Sequence, residues 1–191
     1  MSNSDKDALV RLLDMDPEFE ICLKYATANN FTGQRVYDFD KCYINKDTAR
    51  LLIRAKEIFK KDGYRVEIWD AYRPIRAQKK LYEVVPVNEY VATPPDLSRP
   101  IRFTHSHMNG LSVDLTLLYP DGREVEMPTA FDDFSGMAAL GCGRIPPVPK
   151  AHAEYLKRVM ESVGFEAYEN EWWHFNDILT QPTPYSDVPL D

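Results

Sequence analysis

The sequence has little cysteine and no long apolar run, which argues against disulfide-rich, cysteine-zinc and membrane-spanning proteins. Its three cysteines, Cys22, Cys42 and Cys142, form no CxxC pair, so neither a disulfide framework nor a cysteine zinc cage is expected. No stretch approaches the roughly 18 consecutive apolar residues of a membrane span. The first residues also lack the basic and apolar segments of a secretory signal. We therefore expect a cytoplasmic protein.

Basic residues are fewer than acidic residues. The chain has 23 lysines and arginines against 30 aspartates and glutamates, a formal net charge of −7. Nucleic acid and anionic membrane are therefore disfavoured as main partners, because both would be repelled by the average surface field. A small solute is the expected partner, and the sequence does not indicate an oligomeric state. Its 191 residues are enough for one domain with a core, and we expect a single domain over 1–191.

Apolar residues recur at helical spacing in three segments. The first begins at Asn45, whose side chain can cap a helix, and ends at Gly63. The other two cover about 74–84 and 150–163, and a short helix is expected over 4–14. These segments supply the helical part of the predicted fold.

Strand-like segments separate the helices. YRVEIWD (64–70) and LSVDLTLL (111–118) predict strands, and the turn YPDGRE after the second predicts a hairpin with a short partner strand. FEAY and WWHF predict two short final strands. The stretches 85–105 and 127–149 have no clear period and are expected to be loops. The fold class is therefore α+β, one compact domain with an antiparallel sheet flanked by helices.

The stretch HSHMNGLSVDLTL places a carboxylate inside a predicted strand. An ionised carboxylate is costly to bury unless a cation, several hydrogen bonds or a metal compensates it. His107 precedes Asp114 by seven residues, and Gly110 between them lets the chain turn before the strand. A second polar group is EWWH, where two tryptophans would wall a pocket between Glu171 and His174.

These residue types suit a hydrolytic zinc site. Such a site needs three ligands from His, Asp and Glu, an open position, and a nearby base that is not a ligand. His107, Asp114 and His174 would supply the ligands, and Glu171 the base. The spacing does not by itself bring them together, so ordinary hydrogen-bonded histidines are the alternative. In a regular strand Glu171 and His174 would face opposite sides, so the site requires a bend, or Glu171 just before the strand.

Arg73 and an acidic pair each have a structural and a functional interpretation. Arg73, in WDAYRP, could form a salt bridge with Asp70 or stabilise an oxyanion beside the zinc site. Asp132 and Asp133 could bind a substrate ammonium or cap a turn. Pattern alone gives no role to Tyr25, His105 or His152.

Four stretches, in order along the chain, resemble motifs of the M15 zinc peptidases. HSHMNGLSVD is similar to their SxHxxGxAxD motif, and EWWHF to the ExxH element. WDAYRP and YATANNFTG (25–33) resemble the D-alanyl-D-alanine dipeptidase branch. The resemblance covers a core of about 25–176 and leaves a proline-rich tail, 177–191. It implies a compact α+β domain with one Zn²⁺ per chain that hydrolyses D-Ala-D-Ala or a closely related D,D-dipeptide.

The resemblance also implies a role for each motif position. It implies zinc ligands at His107, Asp114 and His174, a catalytic base at Glu171, and a transition-state stabiliser at Arg73.

Substrate contacts are implied at three further positions. Asp132 is expected near the free amino group of the substrate, with Tyr25 close to the same pocket. His105 stands where the family has serine, which places an imidazole at the pocket mouth. Two alternatives are a carboxypeptidase of the same zinc class that acts on longer peptidoglycan peptides, and a non-catalytic module that binds peptidoglycan fragments.

Overall fold

The computed structural model describes residues 8–84 and 91–190. The helices in this part are α1 (Leu12–Met15), α2 (Lys46–Lys61), α3 (Ile75–Val84) and α4 (Pro147–Val163), with 3₁₀ turns at Lys24–Ala26 and His107–Asn109. The strands are β1 (Leu9–Arg11), β2 (Glu20–Ile21), β3 (Tyr43–Asn45), β4 (Arg65–Asp70), β5 (Ser112–Leu118), β6 (Phe165–Ala167) and β7 (His174–Asp177). The α+β class is confirmed. No helix within the described residues is both long and apolar enough to cross a bilayer.

The main sheet has five strands in the order β2-β4-β5-β7-β6, and β1 pairs with β3 in a small second sheet. The pairings are antiparallel except for β2 with β4, which is parallel. The predicted antiparallel sheet is present in three of the four pairings, and only the short edge pair β2 with β4 is parallel. The chain between β2 and β4 contains α2, and a crossover of that length allows two neighbouring strands to run in the same direction.

The helix predicted over 4–14 is replaced in part by strand. Residues 4–7 lie outside the described residues, Ala8 is helical, Leu9–Arg11 form β1, and Leu12–Met15 form α1. Val10 pairs with Ile44 in β3. This tertiary pairing overrides the local helical spacing of the leucines.

The two long helices end where their glycines predict, and α2 also begins at its predicted cap. The Asn45 side chain accepts a hydrogen bond from the Asp47 N–H (2.9 Å) at the start of α2, as an N-cap should. Helix α4 begins at Pro147, three residues earlier than expected, because a proline fits the first turn. It ends at Gly164 in the left-handed region. Helices α2 and α4 pack against each other beside the sheet.

Two predicted strands differ from the structure. The hairpin after β5 forms, with Tyr119 N–H donating to the Arg123 carbonyl, but its return arm pairs only through a bridge between Leu118 and Glu124. In WWHF the strand begins at His174, so Glu171 precedes it. That second difference decides where the Glu171 side chain can point.

Candidate metal centre and active site

Three neighbouring strands bring the first polar group together. Asp114 in β5 lies opposite Asp70 in β4 and opposite His174 in β7. Directly opposed residues of paired strands share a face of the sheet, so these three side chains project from the same side. A register shift between Ile68 and Asp70 lies at the end of β4 next to this site, a position where such irregularities re-aim a side chain.

His107 reaches the same face from a turn outside the sheet. The Ser106 side chain accepts from the Met108 N–H and begins the turn, and Gly110 ends it with φ +71°. A Cβ at position 110 would lie 2.7 Å from the Asn45 backbone nitrogen. Only glycine fits there, which explains its place between the histidine and the strand.

Three donor atoms converge in this arrangement. His107 Nε2 lies 3.3 Å from Asp114 Oδ1 and 3.2 Å from His174 Nδ1, and His174 Nδ1 lies 2.9 Å from Asp114 Oδ1. Zinc ligands about 2.0–2.1 Å from a tetrahedral ion are about 3.3 Å from one another. The residues therefore fit a zinc ion.

When the two imidazoles are neutral, as metal ligands are, outer hydrogen bonds place their protons on the ring nitrogens that face away from the converging atoms. His107 Nδ1–H donates to the Ala71 carbonyl (2.7 Å), so Nε2 carries the lone pair. His174 Nε2 lies 3.2 Å from Asn176 Oδ1, which also accepts from the Ser112 hydroxyl (2.6 Å). Such partners fix the tautomer of a metal-binding histidine.

Asp114 is the buried carboxylate that the sequence placed in a strand. It is 2% exposed. Burial by itself raises its pKa, but the charges and hydrogen bonds of His107 and His174 outweigh burial and hold the pKa below its usual range. Asp114 therefore stays ionised between the two imidazoles.

Glu171 lies beside the three donor atoms. Its Oε2 is 3.9 Å from His174 Nδ1, and its side chain is 15% exposed. Burial, aided by the charges of Asp114 and Asp132, raises its pKa to about 7, against the opposing effect of His174. A carboxylate with a pKa near neutrality is suited to exchange protons with a reacting water.

Arg73 forms the predicted salt bridge with Asp70 and also lies beside the converging donor atoms. Its Nε and Nη2 donate to Asp70 Oδ2 (2.9 and 2.6 Å), and Nη1 donates to Gln78 Oε1 (3.0 Å). Nη2 is also 3.9 Å from Asp114 Oδ2. Because a guanidinium has five N–H groups, two are left over after these three bonds. The salt bridge fixes the side chain while leaving donors beside the converging atoms.

The two carboxylates of the acidic pair have different surroundings. Asp132 accepts from the Tyr25 hydroxyl, 3.1 Å from both carboxylate oxygens, and has a left-handed backbone with φ 57°. Burial, with a contribution from Asp114, raises the pKa of Asp132 to about 7. Asp133 instead accepts from the Ser135 N–H (2.8 Å) and caps a turn.

One cavity of about 320 Å³ contains all eight predicted site residues in its lining. This volume is at the small end of the range of about 300–1,000 Å³ for small-molecule sites. His105 lies in the wall, with Nε2 3.1 Å from the Thr180 carbonyl oxygen. His152 is elsewhere, on α4, against the Glu126 carbonyl oxygen.

The cavity wall also contains residues that sequence reasoning missed. Gln78, Tyr168 and Asn176 line it, and Asn176 could have been found because it shares the strand face of His174 two residues earlier. Of the two tryptophans expected to wall the pocket, only Trp173 does so. Trp172 is buried in the core, where its indole N–H donates to Thr129 Oγ1 (3.0 Å).

A second group of carboxylates has a different explanation. Asp16, Glu18 and Glu57 come close enough to hold an ion. The ammonium of Lys56 already lies 2.6–2.9 Å from all three. This group is therefore a salt-bridge network around a buried lysine.

Comparison with known proteins gives consistent matches over nearly the whole chain. The Peptidase_M15 family, described as D-ala-D-ala dipeptidase, matches residues 5–190. The chain is 33% identical over 182 residues to the D-alanyl-D-alanine dipeptidase of Escherichia coli strain K12, covering 95% of this chain and 90% of that protein. It is 32% identical to the D-alanyl-D-alanine dipeptidase of Enterococcus faecium, covering 87% and 90%. The solved structure of the LD-carboxypeptidase LdcB shares the fold, with a TM-score of 0.52, 19% identity, and coverage of 90% of this chain and 68% of that one.

Proposed function

The chain belongs to the M15 peptidase family of D-alanyl-D-alanine dipeptidases, and we propose that it cleaves D-Ala-D-Ala, or a closely related D,D-dipeptide, with one zinc ion per chain. It is a hydrolytic metallopeptidase. The observation that carries the proposal is the convergence of three donor atoms beside Glu171 and Arg73 in one small cavity.

The zinc ligands in this proposal are His107 Nε2, Asp114 Oδ1 and His174 Nδ1. Their mutual distances of 2.9–3.3 Å are those expected of atoms that would bind one zinc ion. A zinc ion held there supplies a Lewis acid and an activated water molecule. The chain's own residues supply the proton transfers and the binding contacts.

Glu171 is the proposed general base and acid. Its carboxylate would take a proton from the attacking water and return it to the leaving amine. Two features support this role: its position 3.9 Å from a ligand nitrogen, outside the ligand set, and a pKa raised to about 7.

Arg73 is the proposed stabiliser of the tetrahedral oxyanion. An N–H group of Arg73 that is not bonded to Asp70 or Gln78 would donate to the oxygen as negative charge develops there. The bonds to Asp70 and Gln78 hold the guanidinium in place before the reaction, so little reorganisation is needed when the charge forms.

Asp132 and Tyr25 are proposed to hold the free ammonium of the dipeptide. The Asp132 carboxylate is exposed to the cavity, and the Tyr25 hydroxyl fixes its orientation. His105 is proposed as a further substrate contact, because the Thr180 carbonyl holds its ring in the cavity wall. The small volume and the ammonium site together favour a dipeptide over a longer peptide.

The decisive experiment measures free D-alanine released from D-Ala-D-Ala by the zinc-loaded protein, with a chelator-treated sample as control. We expect the chelator to abolish D-alanine release. The Glu171→Ala variant should retain bound zinc but release D-alanine about 10²–10⁴-fold more slowly. Asp114→Ala should instead lose the zinc, because it removes a ligand.

Other outcomes would replace the proposal. Release from a pentapeptide but not from the dipeptide would indicate a carboxypeptidase. Ligand binding with zinc present and no turnover would indicate a non-catalytic binding module. Full retention of stoichiometric zinc by Asp114→Ala would remove Asp114 from the ligand set.

Two further properties expected from the sequence stay predictions. They are a single domain over 1–191 and a cytoplasmic location. Cell fractionation followed by immunodetection of the untagged chain tests the second.

A further inference from the structure

His107 is held differently from the other two proposed ligands. Asp114 and His174 lie in paired strands, where ladder hydrogen bonds fix the backbone on both sides. His107 belongs to a three-residue turn outside the sheet. Its position therefore depends on whatever packs against that turn.

The segment that packs there is the C-terminal strap, residues 180–188, which has no helix or strand of its own. The Ser186 N–H donates to the Met108 carbonyl (2.8 Å), and the Ser186 carbonyl accepts from the Ile75 N–H (3.1 Å). One residue of the strap thus joins the turn to the first residue of α3. We propose that the strap is a positioning element of the metal centre, an inference that rests on the proposed function.

Asn109 closes the turn onto the strap. Its side chain is buried, and its amide nitrogen donates to the carbonyls of Thr104 (2.9 Å) and Thr183 (3.0 Å). Its Oδ1 accepts from the Ser106 N–H (3.1 Å). The side chain thereby connects both arms of the turn with the strap, and both amide protons are used.

The strap has two anchors that lie away from the turn. Asp187 accepts from the backbone N–H of Arg76 (2.9 Å) and from its guanidinium (3.1 Å). The Tyr185 ring packs edge-on against Phe103, and its hydroxyl lies 2.9 Å from Thr104 Oγ1. These contacts can be removed without changing any residue of the turn.

The WDAYRP segment holds His107 from the opposite side. The Arg73 N–H donates to the His107 carbonyl (3.0 Å), and the Ala71 carbonyl accepts from Nδ1 (2.7 Å). The turn is thus clamped between this segment and the strap. If the strap contacts are removed, the His107 imidazole can move more freely in the metal-free protein. Because zinc binding must then restrict that motion, the affinity for zinc falls.

Two full-length variants test this inference. Tyr185→Ala/Asp187→Ala releases the outer anchors, and Asn109→Ala removes the side-chain link between turn and strap while the bond from the Ser186 N–H to the Met108 carbonyl remains. We expect each to raise the zinc dissociation constant about tenfold, the low end of the effect seen for outer contacts of metal ligands. A chromophoric chelator in competition measures the constant, and thermal unfolding measures the stability of the same samples.

A matched control separates positioning from general destabilisation. Val159→Ala removes buried volume on α4, away from the turn, and should lower Tm without changing the zinc dissociation constant. If the strap variants lower Tm as this control does and leave the constant unchanged, the strap is only structural and the inference is wrong.

Hydrogen exchange on the unaltered chain gives a second test that does not depend on any variant folding. Coupling between sites is reciprocal, so zinc should slow exchange of the Ser186 amide, which donates to the turn. No change at Ser186 on zinc addition would overturn the inference. If the unaltered chain binds no zinc at all, the proposed function fails first, which distinguishes the two failures.

Discussion

Replacing Asp132 by asparagine should stabilise the metal-free protein while impairing catalysis. Burial raises the pKa of Asp132 from 3.8 to about 7, a shift of about three units, and each unit is about 1.4 kcal/mol. Keeping this carboxylate ionised above pH 7 therefore destabilises the folded state by up to about 4 kcal/mol. Asparagine tolerates the left-handed φ of 57° and can still accept from the Tyr25 hydroxyl, so Asp132→Asn removes the charge and keeps the contact.

The sign of the pH dependence follows from the raised pKa. Between about pH 4 and 7 the folded state holds more protons on Asp132 than the unfolded state, so this group lowers stability as pH rises. Urea unfolding with chelator present should show Asp132→Asn more stable than the parent by up to about 4 kcal/mol at pH 8 and by less than half of that at pH 5. Asp133→Asn, which removes the same charge from a turn cap, is the control. Equal stability of Asp132→Asn and the parent at both pH values would refute the reasoning.

Three further predictions follow from the same geometry. Arg73→Lys should lower kcat by about 10²–10³ with zinc content unchanged, because an ammonium cannot keep the bonds to Asp70 and Gln78 and still reach the oxyanion; steady-state kinetics with metal analysis checks this, and a kcat equal to the parent's would contradict it. Gly110→Ala should lower the free energy of unfolding by at least about 1–2 kcal/mol because of its φ of +71°, and it should weaken zinc binding because the new Cβ would displace the turn. Urea unfolding measures the first effect and chelator competition the second; a zinc dissociation constant equal to the parent's would contradict the second. N-acetyl-D-Ala-D-Ala should have a kcat/KM at least about 10²-fold below that of D-Ala-D-Ala, because it leaves the Asp132 carboxylate unpaired; comparable values would remove Asp132 from the ammonium site.

Local signals were enough to locate the elements that carry the site. Asn45 and Gly63 bound α2, and the alternation in 64–70 and 111–118 identified the two central strands. The strand order could not be predicted in this way, because the parallel pairing of Glu20–Ile21 with β4 depends on the connection through α2. No periodicity within two residues could indicate that pairing.

In the site, too, the sequence identified candidate residues, but the tertiary structure decided which of them face the cavity. The sequence allowed Asp132 and Asp133 either of two roles, and only the left-handed backbone at Asp132 determines which carboxylate faces the cavity. Similarly, the two tryptophans of EWWH are equivalent as letters, but Trp172 precedes β7 in the core and Trp173 lines the cavity. For Glu171 the sequence allowed either a bend or a position just before the strand, and β7 begins at His174, which corresponds to the second.

Charge explains why these residues suit a doubly charged ion and an ammonium group together. Asp70, Asp114, Asp132 and Glu171 surround the single guanidinium of Arg73, which leaves an excess of three negative charges when all four carboxylates are ionised. Two of these carboxylates already have pKa values near 7, because burial and their like-charged neighbours oppose ionisation. A dication among His107, Asp114 and His174 and an ammonium at Asp132 would together supply three positive charges. In the proposed function, the free amino terminus of the substrate would therefore complete the electrostatic balance of the cavity, and a preference for an unblocked dipeptide would follow from the burial of these carboxylates.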